Sequence, residues 1–88
     1  MLTTAAEKIL AWLLKEEDCE SDDRRFFCSY LISHTSLSME DADDNQIFFD
    51  IMQQSLIESM QADKLSDHDR QGIETLWNEA FNVFNGTL

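Results

Sequence analysis

Proline is absent from this sequence of 88 residues, and glycine occurs only at positions 72 and 86. Turn-rich β folds depend on both residue types, so a chain that is 43% apolar and almost without them favours long helices. Basic residues are also scarce, because 6 Lys and Arg against 18 Asp and Glu give a net charge of −12. That sign opposes direct binding to nucleic acids and anionic membranes, which require Lys and Arg, but it permits a basic partner.

Cysteine is rare as well. Cys19 and Cys28 are too few for a disulfide framework, and their spacing is not that of a zinc site. The apolar run Ile9–Leu14 is short and follows no basic region, so it does not read as a signal peptide. The longest uncharged run, Phe26–Met39, is too short to span a membrane. Together these features predict a cytoplasmic protein with reduced thiols.

Four stretches show helical periodicity, near residues 4–16, 21–39, 45–62 and 66–84. Short connections make sequential helices antiparallel neighbours. A chain of this length forms one domain that can bury a core without disulfides or metals. The sequence therefore predicts an all-α fold, a single compact antiparallel bundle of about four helices over residues 1–88.

Each predicted helix starts near a Ser, Thr or Asp whose side chain can accept a hydrogen bond from the first turn. The predicted capping residues are Thr4, Ser21, an aspartate within 40–45, and Ser66. Thr4 and Ser66 each have an acidic residue three positions later, the spacing of a capping box. Asn85-Gly86 closes the last helix, since glycine adopts the left-handed cap without steric penalty.

The apolar stripes of these helices differ in width. The last helix has a narrow stripe of Ile73, Leu76, Trp77, Ala80, Phe81 and Phe84. The second helix is predicted to bury Phe26, Phe27, Tyr30, Leu31, His34 and Leu37. The third carries Ile47, Phe48, Phe49, Ile51, Met52, Leu56, Ile57 and Met60, which cover well over half of its circumference. Such a helix is either the most buried member of the bundle or covered on a second side by a partner.

Several short motifs occur in a fixed order between Ser21 and Phe81. They are Ser21-Asp22-Asp23, Phe26, Tyr30-Leu31, His34, Gln54-Ser55-Leu56, Leu65-Ser66, Asp69-Arg70-Gln71, Trp77 and Phe81. In order and spacing they resemble the YfcL-like family of short bacterial proteins. The resemblance implies a small helical protein without an established activity, and it brings no catalytic residues to this chain.

His34 is the most conspicuous single residue, because it lies in the middle of an apolar arc with Tyr30 one turn earlier. A titrating imidazole beside a phenol could serve as a general base or as a pH-sensitive element. The simpler interpretation, which we prefer, is a neutral core histidine that is hydrogen-bonded by tyrosine, backbone or a carboxylate from another helix.

Asp41, Asp43 and Asn45 match the first, third and fifth ligand positions of a calcium-binding EF-hand loop. The match then ends, since Gln46 replaces the required glycine and Met52 replaces the bidentate glutamate at the twelfth position. A solvated acidic loop that caps a helix is the better interpretation. His68, between two aspartates, is likewise assigned to capping because adjacent helical residues point apart. No Glu-x-x-His pair or glycine-rich phosphate loop is present, so no metal site or cofactor is predicted.

The charge distribution could mark an interface, although a solvated acidic face over an ordinary core helix is the interpretation that we prefer. Between Phe26 and Asp63 there are seven acidic residues and no Lys or Arg, and the strongly apolar third helix lies within this block. The candidate interaction or buried polar residues are Tyr30, His34, Asp41, Asp43, Asp44, Phe48 and Met52.

Three functional hypotheses follow. The first is a non-enzymatic module that binds another protein, or a second copy, through the third helix and its flanking acids. The second is an acidic mimic of a nucleic-acid backbone that occupies the basic groove of a DNA- or RNA-binding protein. The third, which we rank last, is an enzyme or metal-binding protein centred on His34. A solvated acidic face over an ordinary core helix is the alternative that needs no function.

Overall fold

The computed structural model describes residues 5–85, with side chains for residues 5–82. It contains four helices, α1 Ala5–Glu16, α2 Asp22–Asp41, α3 Asn45–Ala62 and α4 Asp67–Asn85. No strand occurs in the described part of the chain. The predicted all-α bundle is therefore confirmed. The roles predicted for Thr4, the Phe84 side chain and Gly86 fall outside the described residues.

The predicted caps of the last three helices are present. The Oγ atoms of Ser21 and Ser66 accept hydrogen bonds from the amides three residues later, at 3.2 and 3.1 Å. Asp44 is the aspartate that caps α3, and its Oδ1 accepts from the corresponding amide at 2.8 Å. Each such cap stabilises its helix by about 1 kcal/mol. The helix starts are thus determined by local chemistry, whereas α2 continues past its predicted end near Met39 to Asp41.

Consecutive helices run antiparallel, as the order of contacts between α2 and α3 shows. Tyr30, in the first half of α2, hydrogen-bonds Asp63, which follows the end of α3. Further along α2, Ser38 hydrogen-bonds Met52, which lies earlier in α3. The four helices are not equivalent, however. α1, α2 and α4 form a triad in which each packs against the other two, while α3 lies mainly against α2 and stands apart from α4.

The contact between α2 and α4 is unusually close. Gly72 of α4 faces Phe27 of α2, and a Cβ atom at position 72 would collide with Cε2 of that ring. One turn earlier in both helices, Asp23 hydrogen-bonds His68, so α2 and α4 run parallel. Because glycine costs a helix interior about 1 kcal/mol relative to alanine, its use here is explained by this close approach.

The buried face of α2 differs from the predicted stripe. Phe26 and Leu37, both predicted to be buried, are exposed, and Tyr30 and His34 are half-buried. The buried residues of α2 are Phe27, Cys28, Leu31, Thr35 and Ser38. The stripe prediction is confirmed for Phe27 and Leu31 and wrong for Phe26 and Leu37, because it followed the large apolar side chains. A helix that contacts three neighbours instead presents small side chains where those neighbours approach closely.

All four helices contribute to one core, formed by Ala6, Ile9, Leu13, Phe27, Cys28, Leu31, Phe48, Met52, Leu56, Met60, Ile73, Leu76, Trp77 and Ala80. The α4 stripe is confirmed over Ile73–Ala80, whereas Phe81 is partly exposed. α3 buries a single row of residues at a spacing of four, Phe48, Met52, Leu56 and Met60. α3 is therefore a flanking helix, covered along one row, and not the most buried member of the bundle.

Candidate interaction surface

A row of polar side chains, here called the polar seam, lies between α2 and α3 and consists of Tyr30, His34, Ser55 and Asp63. The Tyr30 hydroxyl donates a hydrogen bond to Oδ2 of Asp63 at 2.9 Å. Nδ1 of His34 lies 2.9 Å from Oγ of Ser55. The Tyr30 and His34 rings are neighbours, with centroids 4.8 Å apart, as their one-turn spacing predicts. The seam thus joins α2 to α3 by two side-chain hydrogen bonds.

Both rings of the polar seam are neutral near pH 7. Burial lowers the pKa of His34 from 6.5, and the opposing charge of Asp63 does not reverse this shift. Burial, reinforced by the hydrogen bond to Asp63, raises the pKa of Tyr30 to about 12. A neutral imidazole and a protonated phenol, each engaged with the neighbouring helix, hold α2 against α3. Ser55 and Asp63 carried no signal in the sequence, because they are distant from their partners along the chain.

One acidic residue of the α2–α3 connection, Asp44, is used in capping. Asp44 caps α3, and Oδ1 of Asn45 accepts a hydrogen bond from the Ala5 amide at the start of α1, at 3.1 Å. Asp41 and Asp43 are exposed. Within residues 5–85, no group of three or more His, Cys, Asp or Glu side chains is arranged to hold a metal ion. These contacts favour the capping interpretation over a fragment of a calcium loop.

Phe48 and Met52, two of the candidate interaction residues, lie in the core of the described structure. Both belong to the α3 row that is covered by the rest of the bundle, and Sδ of Met52 accepts a hydrogen bond from Ser38 at 3.4 Å. The large apolar residues that α3 exposes are Ile47 and Ile57. Any contact surface on α3 is therefore built from the opposite edge of the predicted apolar arc.

An open groove separates α3 from α4 and is called the α3–α4 groove. It encloses about 560 Å³, a volume typical of binding sites in proteins. Its apolar lining comprises Leu56, Ile57, Met60, Ile73, Trp77 and Phe81. The groove exists because α4 packs tightly onto α1 and α2 while α3 stands away from it.

Large side chains keep the two walls of the α3–α4 groove apart at one end. The ring of Phe49 on α3 packs against Trp77 and Phe81 on α4, with centroids 6.1 and 5.0 Å apart. Trp77 is buried and forms part of the floor, whereas Ile57 and Phe81 are 54% and 38% exposed. Exposed apolar side chains are ordinary when scattered, but these two continue the apolar floor of a concave site.

The rim of the groove is polar and its only charges are negative. Gln53 and Asn78 contribute amides, and Glu74 contributes a carboxylate. The other acidic residues of the two helices lie elsewhere: Asp50 and Glu58 are on another face of α3, and Glu79 lies 3.5 Å from Arg24 of α2. An apolar centre with a polar rim is the arrangement found in protein interfaces.

The remaining candidates have structural contacts. Nε2 of His68 lies 2.9 Å from Oδ2 of Asp23, so this histidine connects α4 to α2 in addition to its place in the first turn. Cys19 and Cys28 are free thiols. Burial raises the pKa of Cys28 to about 11, which keeps this thiol protonated and unreactive at neutral pH.

None of the helices within residues 5–85 is both long enough and apolar enough to cross a bilayer. No curated protein and no solved structure matches the chain. A sequence model of a protein family, described as "YfcL protein", matches residues 4–82. That match extends from the start of the first helix into the last, so the family resemblance found in the sequence motifs is confirmed. The chain belongs to the YfcL family.

Proposed function

We propose that this chain is a non-enzymatic protein-interaction module that binds a partner protein through the α3–α4 groove. The observation that carries the proposal is the groove itself, which combines an apolar floor with exposed Ile57 and Phe81 on its two walls. Burial of such side chains in a complex is favourable by about 25 cal/mol per Å² of apolar surface. The acidic rim then supplies specificity and orientation.

The charge supports a basic partner over a second copy of the same chain. Each copy carries a net charge of −12, and Glu74 is the one charged side chain among the described residues that line the groove. Two copies that met through this surface would bring like charges together, which disfavours association. A basic partner is attracted to the same surface and gains in association rate.

The polar seam supports binding over catalysis. His34 and Tyr30 do not line the α3–α4 groove, and each is occupied by a partner on or beside α3. A general base needs access to a substrate proton in a concave site. The nucleic-acid mimic receives less support, because a surface that imitates phosphates has no use for an apolar centre.

The test compares two single variants that add the same positive charge at equally exposed positions. Ile57, in the groove, is 54% exposed, and Leu14, on α1 and outside the groove, is 52% exposed. Native protein, Ile57→Lys and Leu14→Lys are immobilised, and the proteins retained from a lysate are identified. The proposal predicts a basic protein that native chain and Leu14→Lys retain and Ile57→Lys loses, and that binds native chain again once purified. Equal retention by all three, or equal loss from both variants, would contradict it.

A further inference from the structure

We infer that the occupant of the α3–α4 groove is a single basic amphipathic α-helix of the partner protein. This inference rests on the proposed function and adds the shape and chemistry of the ligand. It follows from three properties of the groove: the secondary structure of its walls, its length, and the sign of its charge.

The walls favour a helix because they offer no backbone partners. The groove residues lie within α3 and α4, where the interior N–H and C=O groups are already paired along each helix. An extended peptide binds by adding a strand to a sheet edge, which this surface lacks. A helical ligand brings its own backbone hydrogen bonds and needs only side-chain contacts. Helix-in-groove binding is the recognition mode that meets this condition.

The length of the groove suits about two helical turns. Its lining runs from Gln53 to Met60 on α3 and from Ile73 to Phe81 on α4. At about 1.5 Å per residue, each wall is roughly 10–12 Å long. A ligand helix with apolar residues at positions i, i+3 or i+4, and i+7 places about three side chains over such a floor.

The charge of the groove favours basic residues at the positions of the ligand helix that do not contact the apolar floor. Glu74 is the one charged side chain among the described residues that line the groove, whereas Glu58 accepts a hydrogen bond from Gln54 on another face of α3. Lysine or arginine on the flank of the ligand helix that faces α4 therefore meets the Glu74 carboxylate, and the net charge of −12 attracts a basic ligand at longer range. An acidic or neutral helix would lack this complementarity, and an acidic one would be repelled.

The probe is a synthetic peptide of about 18 residues, long enough to form some helix alone. It carries leucine at i, i+3, i+4 and i+7, lysine at the positions flanking this stripe, and alanine elsewhere, because lysine at all other positions would destabilise the helix by repulsion. The control peptide has the same composition with its leucines scattered around the helix. Affinities are measured by calorimetry with the full chain at about 0.15 M salt, which screens exposed charges over about 8 Å.

The inference predicts that the striped peptide binds the native chain at least about tenfold more tightly than the scattered one, a difference of about 1.4 kcal/mol. Ile57→Lys should weaken the striped peptide by about tenfold, and Leu14→Lys should leave its affinity nearly unchanged. Glu74→Gln should weaken it by about two- to fivefold, against no change for the exposed Glu20→Gln outside the groove. Circular dichroism and thermal unfolding confirm that each variant is folded.

Equal affinity for the two peptides, or equal weakening by Ile57→Lys and Leu14→Lys, would show non-specific charge attraction and overturn the inference. The two proposals fail separately. If a partner from the lysate depends on Ile57 but the striped peptide does not bind, the helical ligand is wrong and the interaction module stands. If neither the partner nor the peptide depends on Ile57, both are wrong.

Discussion

The α2–α4 contact and the α3–α4 groove are two solutions to placing helices side by side. In the first, Gly72 lets α4 approach until it meets the ring of Phe27. In the second, the rings of Phe49, Trp77 and Phe81 fill one end, and the rest of the space between the helices stays open. The size of the side chains between two helices thus decides whether their apolar surface is buried within the chain or remains available to another molecule.

The largest difference between these regions should appear when a side chain is shortened. Leu31 of α2 is fully buried, so Leu31→Ala should lower the free energy of unfolding by about 2–5 kcal/mol through lost burial and a cavity. Ile57→Ala, on the wall of the groove, should cost less than about 1 kcal/mol. Urea unfolding measures both. A cost for Ile57→Ala as large as that for Leu31→Ala would mean that the outer side of α3 is covered.

Adding a single methyl group should separate the two regions next. Gly72→Ala should destabilise the protein by about 1–3 kcal/mol, because the new Cβ collides with the Phe27 ring and overpacking outweighs the gain in helix propensity. In a Phe27→Leu background the same change should become neutral or stabilising. Gln71→Ala, at the adjacent exposed position, is the matched control, expected within about 0.5 kcal/mol of native. A stabilising effect of Gly72→Ala alone would disprove the close approach.

A substitution of Thr35, on the buried face of α2, should change the free energy of unfolding by less than the substitutions above and should increase it. Its Oγ1 has no hydrogen-bond partner within the described residues, although the residue is fully buried. Thr35→Val keeps the shape and removes the unpaired hydroxyl, so the free energy of unfolding should rise by about 1 kcal/mol. Thr75→Val, at an exposed position of α4, should change it by less than about 0.5 kcal/mol. Loss of stability in Thr35→Val would indicate that the hydroxyl is satisfied.

The smallest predicted effect concerns the α2–α3 polar seam and depends on pH. Because burial lowers the pKa of His34 below 6.5, the unfolded chain takes up this proton first as the pH falls. The stability of the native chain should therefore decline relative to His34→Gln as the pH drops below 6.5 towards the lower pKa of the folded state. His68→Gln, which alters an exposed histidine, should leave that decline in place. Parallel pH curves for native and His34→Gln would contradict the assignment.

The sequence predicted the structure correctly where a single local rule decides it. Ser21 and Ser66 cap helices because capping depends on a few neighbouring residues, and the α4 row Ile73–Ala80 is buried because large apolar side chains recur at helical spacing. The same reasoning succeeded for Phe27 and Leu31 of α2 and failed for the rest of its buried face. Thr35 and Ser38 face the core there because they are small. No local sequence pattern shows at which positions of a helix its neighbour approaches most closely.

The candidate site was predicted only in part. The breadth of the α3 apolar arc indicated more apolar surface than one row of contacts covers, and exposed Ile57 is part of that excess. Phe48 and Met52 were included with it because a sequence cannot show which side of the arc faces α2. The groove itself was not predicted, since it depends on the distance between α3 and α4. That distance depends on how closely α4 packs onto α2, which Gly72 permits. It also depends on the rings of Phe49 and Phe81, which fill one end of the groove.

The most direct test of the central claim is an amide NMR titration of the uniformly labelled chain with the striped lysine–leucine peptide. The account predicts that shift changes concentrate in residues 53–60 and 73–81, the two walls of the α3–α4 groove, and leave α1 unaffected. Shift changes distributed evenly over the acidic surface, or concentrated on α1, would contradict it.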